Sequence, residues 1–274
     1  WILLTPIILF VILMVLLYIP PVQNLLRREV TAYASKATGM QIQVERIDLR
    51  FPLNLLVRGV EVIQQPDTLL SLESLNVRVQ AWPLLKGKVE VDEVTLSQVA
   101  VNSANLIEGM QIKGVLGRFF LQSHGVDLSN ETAVVNRTEL SDTHIQLLMT
   151  DTTTTPKDTT ASAPVNWKVN LHQLKLKNVS FGMKLPADSM KMAAYIGEAT
   201  IDDAKADLKN QFYGLKQFLL SGASASYDTG EAQPSEGFDA SHMAVRNIRI
   251  GLDSLLYEGR NMNAVIREIT MEER

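Results

Sequence analysis

The 274-residue chain has no cysteine. That excludes a disulfide framework, thiolate chemistry and Cys-type metal sites, but it does not assign a compartment. Charge is also sparse. Charged residues make up 20% of the chain and the net charge is -4. The basic residues are scattered, with Arg27-Arg28 as their largest cluster, so no nucleic-acid partner is expected. Neither a glycine-rich phosphate loop nor a G-x-S-x-G elbow occurs. The four histidines, His124, His144, His172 and His242, are isolated and match no metal-ligand spacing. His172 falls on the outward side of its strand pattern, where solvent is its expected neighbour. Asp202-Asp203, the one adjacent aspartate pair considered as an acid–base candidate, would point to opposite faces of a strand, so a turn is its expected place. No enzyme, metal or cofactor is expected from these residues.

What is abundant is apolar and patterned. Trp1 to Ile19 is apolar except for Thr5, Pro6 and Tyr18. Nineteen helical residues span about 28 Å at 1.5 Å per residue, close to a bilayer core of about 30 Å. Trp1 and Tyr18 bracket the run as interfacial aromatics do, Leu9 and Val15 lie within it, and Pro20-Pro21 closes it. The run is longer than a signal-peptide core and no small-x-small site follows. It reads as a retained transmembrane anchor over residues 1–19. Arg27, Arg28 and Lys36 follow it, but the opposite flank is missing and composition leaves the sidedness open. The chain starts at Trp1 and stops in mid-pattern at Ile269-Thr270-Met271, so it is expected to be part of a longer protein.

Residues 20–38 carry Val22, Leu25, Leu26, Val30, Tyr33 and Ala37 at helical spacing, with Gly39 as the C′ residue. This predicts a juxtamembrane amphipathic helix. It either lies on the membrane or packs on the next element, since a stripe alone does not name its partner.

Beyond Gly39 the period becomes two, with a recurring slip. Ile42, Val44, Ile47 and Leu49 follow apolar-x-apolar-x-x-apolar-x-apolar. The same spacing returns at Leu70, Leu72, Leu75 and Val77, at Val89, Val91, Val94 and Leu96, and at Val169, Leu171, Leu174 and Leu176. It returns again at Tyr213, Leu215, Phe218 and Leu220 and at Met243, Val245, Ile248 and Ile250. Alternation puts one face against apolar material, and the extra residue shifts the phase by one. A β-bulge or a corner at that point would return both halves to the same side. Each unit therefore reads as a strand bending around one apolar interior, which could be the dry core of a sandwich or an open groove.

The tract 151–164, beginning DTTTTPKDTTAS, is polar and reads as a flexible insert between a first β-part, 39–150, and a continuation, 165–274. A second loose stretch is expected from Ser221 to Ser235, which is rich in Gly, Ser and Ala.

The order of motifs carries a resemblance. After the N-terminal helix come Thr38-Gly39-Met40-Gln41-Ile42-Gln43-Val44, Phe51-Pro52-Leu53 and Val57-Arg58-Gly59-Val60. Leu69-Leu70-Ser71-Leu72-Glu73-Ser74-Leu75 and Trp82-Pro83-Leu84-Leu85-Lys86-Gly87 follow. Together they resemble the start of the TamB family (translocation and assembly module) of the AsmA superfamily. The later stretches around Ile112-Lys113-Gly114 and Asn166-Trp167-Lys168-Val169 look most like its Bacteroidota members. The resemblance implies a mainly β fold: a transmembrane helix, then an elongated, bent β-sheet groove of repeated strands. It also implies an inner-membrane anchor, a periplasmic β-region and a bridge-like lipid-transfer role that carries phospholipid toward the outer membrane or aids outer-membrane protein assembly. A BamA-like barrel, TamA or a relative, would be the partner, docking on a C-terminal region that this sequence does not include. The groove candidates are then the four sets from Ile42 to Leu49, Leu70 to Val77, Val89 to Leu96 and Val169 to Leu176.

Overall fold

The computed structural model describes residues 18–51, 53–84, 90–104, 106, 109–127, 130–149, 166–186, 189–230, 241–259 and 261–273. The expected anchor, with Trp1, Leu9 and Val15, lies outside them apart from Tyr18 and Ile19; Val89 and the insert 151–164 lie outside as well. Among the described residues no helix is long and apolar enough to cross a membrane. The described chain is mainly β and divides into two compact units, 1–99 and 100–274.

The first unit opens with helix α1 (Pro20–Thr38), started by the proline pair and ended by Gly39. Gly39 adopts φ 70° and its N–H donates to Ser35 O, so it is the C′ residue expected from the sequence. Strands β1 (Gln41–Arg50), β2 (Asn54–Gln64) and β3 (Asp67–Val79) form an antiparallel meander. A single helical turn, α2 (Ala81–Leu84), holds Trp82 and Pro83 between β3 and β4 (Val91–Asn102). Strand β1 is an edge, and α1 runs antiparallel along it. Gln23 Nε2 donates to Leu49 O at 3.0 Å and Arg27 Nη1 to Glu45 O at 2.6 Å. At the far end the Ile42 N–H donates to Ser35 Oγ at 3.0 Å. A polar stripe spaced four and eight residues apart thus satisfies edge groups that would otherwise recruit another strand.

The second unit contains β5 (Met110–Asp127), β6 (Thr132–Met149), β7 (Lys168–Leu185) and β8 (Met190–Asp207), followed by β9 (Phe212–Leu215), β10 (Gln217–Asp228), β11 (His242–Glu258) and β12 (Asn261–Glu273). Neighbours pair antiparallel except β6 and β7, which run parallel. Parallel pairing requires the intervening chain to return along the strand, which a hairpin-length link cannot do.

The apolar-x-x-apolar slip is a corner, and neighbouring strands make it together. In the first unit the β1–β2 ladder skips Glu45 opposite Gly59 and resumes in unchanged register; Gly59 has φ 58°. In the second unit the ladders skip Gly117, Asp142, Asn178, Gly197 and Gly222 in turn across β5, β6, β7, β8 and β10. Asp142, Asn178 and Gly222 adopt φ 52°, 53° and 62°. A bulge in one strand alone would have shifted the register. Here a left-handed residue restores the side-chain phase, and Gly, Asn and Asp tolerate that conformation best. Asn178 Nδ2 donates to Asp142 Oδ1 at 2.7 Å, linking two corners directly.

Two expectations are corrected by this corner. Asp202-Asp203 does not occupy a turn but a second corner within β8, where Asp203 has φ 49°. Of the stretch expected to be loose, Ser221 to Asp228 lies in β10 and residues 231–235 lie outside the described residues; the small residues of β10 fit a corner where strands approach closely. A Cβ on Gly197 would stand 2.9 Å from Gly222 O, and one on Gly117 would stand 2.7 Å from Asp142 Cβ.

Gly197→Ala should therefore destabilise the protein by about 1–3 kcal/mol, because the clash is with backbone. Gly182→Ala, where the nearest atoms stand at 3.9 and 4.0 Å, should stay within about 0.5 kcal/mol. Urea unfolding of the two variants checks the corner; equal effects would contradict it.

Candidate functional site

Directly paired residues share a face, so the ladders show which side chains meet. In the first unit Ile42, Val62 and Leu70 form one row and Val44, Val60 and Leu72 the next. Across the corner, Ile47, Val57 and Leu75 are followed by Leu49, Leu55 and Val77. The candidates of β1 and β3 are thus joined on one apolar face through Leu55, Val57, Val60 and Val62 of β2. Those four residues were missed as face residues, although they repeat the same spacing. Val91, Val94 and Leu96 of β4 are half-buried.

The second unit repeats the arrangement on a wider front. Leu121, Thr138, Leu174, Ile201, Phe218 and Leu252 form one row, and Phe119, Leu140, Leu176, Ala199, Leu220 and Ile250 the next. Beyond the corner, Ile145, Phe181, Ala194, Ala225 and Val245 align, then Ile112, Leu147, Met183, Met192, Tyr227 and Met243. Leu174 and Leu176 sit in these rows, and Val169 and Leu171 continue them through Ala206 and Ala204. The reverse face carries Ser141, Lys177, Glu198 and Ser221 in register.

Burial along this face is graded. Thr143, Ala199 and Ala223, beside the corner, are only 2%, 4% and 4% exposed. Farther along the strands Phe181, Met192 and Met243 remain 40%, 39% and 40% exposed. Small residues fill the bend, while large apolar ones stand open on the arm. A cavity of about 670 Å³ lies there, lined by Phe181, Met192, Ala194, Ala225, Tyr227, Met243, Val245 and Met271 among others. A second, of about 780 Å³, adds Lys113, Lys184 and Lys191 to Leu147, Met183 and Met192. Such volumes suit an extended apolar ligand.

The second corner is polar. The His172 Nδ1 lies 3.1 Å from Asp203 Oδ1, and Lys216 Nζ 3.5 Å from Asp203 Oδ2. Gln173 Nε2 donates to Asp202 Oδ1 at 3.2 Å, and Arg267 pairs with Asp253. His172 is exposed, as its outward position predicts. The His172 hydrogen bond, aided by Lys216, holds the Asp203 carboxyl below the usual carboxylate range. For Asp207, burial alone would raise the carboxyl, but hydrogen bonds from Asn210 and Lys168 outweigh it and the net shift is downward. His172, Gln173, Asp202, Asp203, Lys216 and Asp253 line one open, polar cavity of about 670 Å³. Among the described residues no cluster of His, Asp or Glu is suited to a metal.

A lowered carboxyl stabilises the fold above the ordinary carboxylate pKa, and that contribution is lost as pH falls through the lowered value. The carboxyl carbon of Asp203, followed by NMR, should titrate below an ordinary aspartate. His172→Ala should move its midpoint upward, whereas an unchanged midpoint would remove the cross-strand bond from the account.

No protein-family model matches the chain, and no curated protein matches it. The family resemblance therefore stands on the order of its motifs, and the site on its geometry.

Proposed function

We propose that this chain is the inner-membrane end of a single-pass, periplasm-spanning protein that carries phospholipid along its apolar β-face toward the outer membrane. The observation that supports the reading is the continuous apolar face whose large residues stand open. In a dry sandwich core, residues such as Phe181 and Met192 would be enclosed on all sides; at 40% and 39% exposed they are not. Acyl chains covering them would leave water at roughly 25 cal/mol per Å² of apolar surface. No charged residue interrupts the rows from Ile112 to Met243 or from Ile145 to Val245, and the Tyr227 hydroxyl is the one polar group in them, so a chain laid across the strands meets no strong trap. The protein works by surface and form rather than by catalysis. Support of outer-membrane protein assembly, with a BamA-like barrel reached through a region beyond this sequence, belongs to the same reading.

Photocrosslinking amino acids at Phe181 and Met243 should capture phospholipid in cells, while the same probe at Lys177 or Arg249 on the reverse face should not. Adducts with protein alone at Phe181 and Met243 would make the face a dry partner-binding core instead. Ala225→Asp places a carboxylate against the proposed acyl chain at a cost of roughly 2 kcal/mol or more. Captured lipid should then fall by more than about tenfold. Urea unfolding should hardly change, because Ala225 is exposed.

A further inference from the structure

Helix α1 presents two chemically different surfaces. Gln23, Arg27 and Ser35 are engaged with the β1 edge. At 100° per residue the centre of this stripe lies about a third of a turn from the sector holding Val22, Val30, Tyr33 and Ala37. The sheet therefore does not cover the apolar sector. Val30 and Tyr33 are 52% and 77% exposed, and Leu25 is 56% exposed. Arg28 and Lys36 are exposed as well. An apolar stripe that is largely exposed while the half-buried polar stripe of the same helix meets the sheet inverts the usual arrangement of a surface helix, whose apolar side faces the core.

We infer that the open side of α1 seats in the interfacial layer of a phospholipid bilayer, so that the helix joins the membrane surface to the edge of the sheet. Two features select a bilayer as the occupant. The helix starts at Pro20, directly after the apolar run Trp1–Ile19, so its first turn emerges where that run would leave the hydrocarbon. Lys36, about a quarter of a turn from the apolar sector and beside the exposed Glu29, suits an anionic headgroup, and a tyrosine flanked by aliphatic residues suits the boundary between headgroup and acyl layers. Strand β1, hydrogen-bonded to this helix through Gln23, Arg27 and Ser35, would then lie at the bilayer surface with the Ile42–Leu49 rows beside it. The inference rests on the anchor reading of residues 1–19.

The absence of cysteine allows single-cysteine labelling of the full chain without background. An environment-sensitive nitrobenzoxadiazole probe would be placed at Leu9, Val30, Tyr33 or Thr38, and each protein reconstituted in vesicles of phosphatidylcholine and phosphatidylglycerol. Lipids carrying a nitroxide just below the headgroup should quench the probe at positions 30 and 33 and leave it bright at position 38, which lies on the sheet-facing stripe with Arg27. Quenching at position 9 by nitroxides deep in the acyl chain, with no quenching at 30 or 33, would overturn the seating of α1 and leave the anchor intact. No quenching at position 9 would overturn the anchor and the seating together.

Discussion

The structure depends on a constraint of phase. Side chains on a strand alternate with period two, so a strand that bends by inserting a residue must either turn its second half inside out or correct itself at the bend. Here left-handed residues stand at the bend in β6, β7 and β10. Asp142, Asn178 and Gly222 adopt positive φ on the same line, with Gly117 beside Asp142 and Gly197 between Asn178 and Gly222 leaving room for them. Because neighbours bend together, the hydrogen-bond register survives this corner from β5 to β10, and the β10–β11 ladder shifts there by one residue and returns by Ala225.

The apolar face follows from that constraint. Small residues such as Thr143, Ala199 and Ala223 are buried at the bend because the strands close in there. Large residues such as Phe181 and Met243 stand farther along the arms, where the same face opens. The outer line balances this with polar links between strands, Asn178 to Asp142 and His172 to Asp203. Corner, burial and polar line thus come from one repeated device, and the partly exposed apolar residues on the arm follow from it.

Much of this was legible in the sequence. The two-residue slip between Val44 and Ile47, or between Leu171 and Leu174, marks the corners, and Pro20-Pro21 and Gly39 mark the ends of α1. The strands of β6 and β8 were harder to read because Thr138, Thr143, Ala199 and Ala204 occupy inward positions where size, not hydrophobicity, is the requirement. Residues 221–228 resembled a loop for the same reason, since a corner needs Gly and Ala where strands approach closely. The stripe of α1 could be read as amphipathic but not assigned a partner. Which side meets the sheet depends on unpaired edge groups of β1, and those exist only once the meander is formed. The parallel pairing of β6 with β7 had no local signal, because pairing direction is set by the route of the intervening chain.

Whether the open face holds acyl chains is the central question, and it can be put to the side chains themselves. With methionine methyls labelled with carbon-13 in the intact chain, reconstituted in nanodiscs of protonated phospholipid, Met183, Met192 and Met243 report from one row of the face. The proposed function requires intermolecular nuclear Overhauser effects from acyl methylenes to these methyls, lost when the lipid is deuterated. Contacts of the same methyls with protein side chains alone would contradict it.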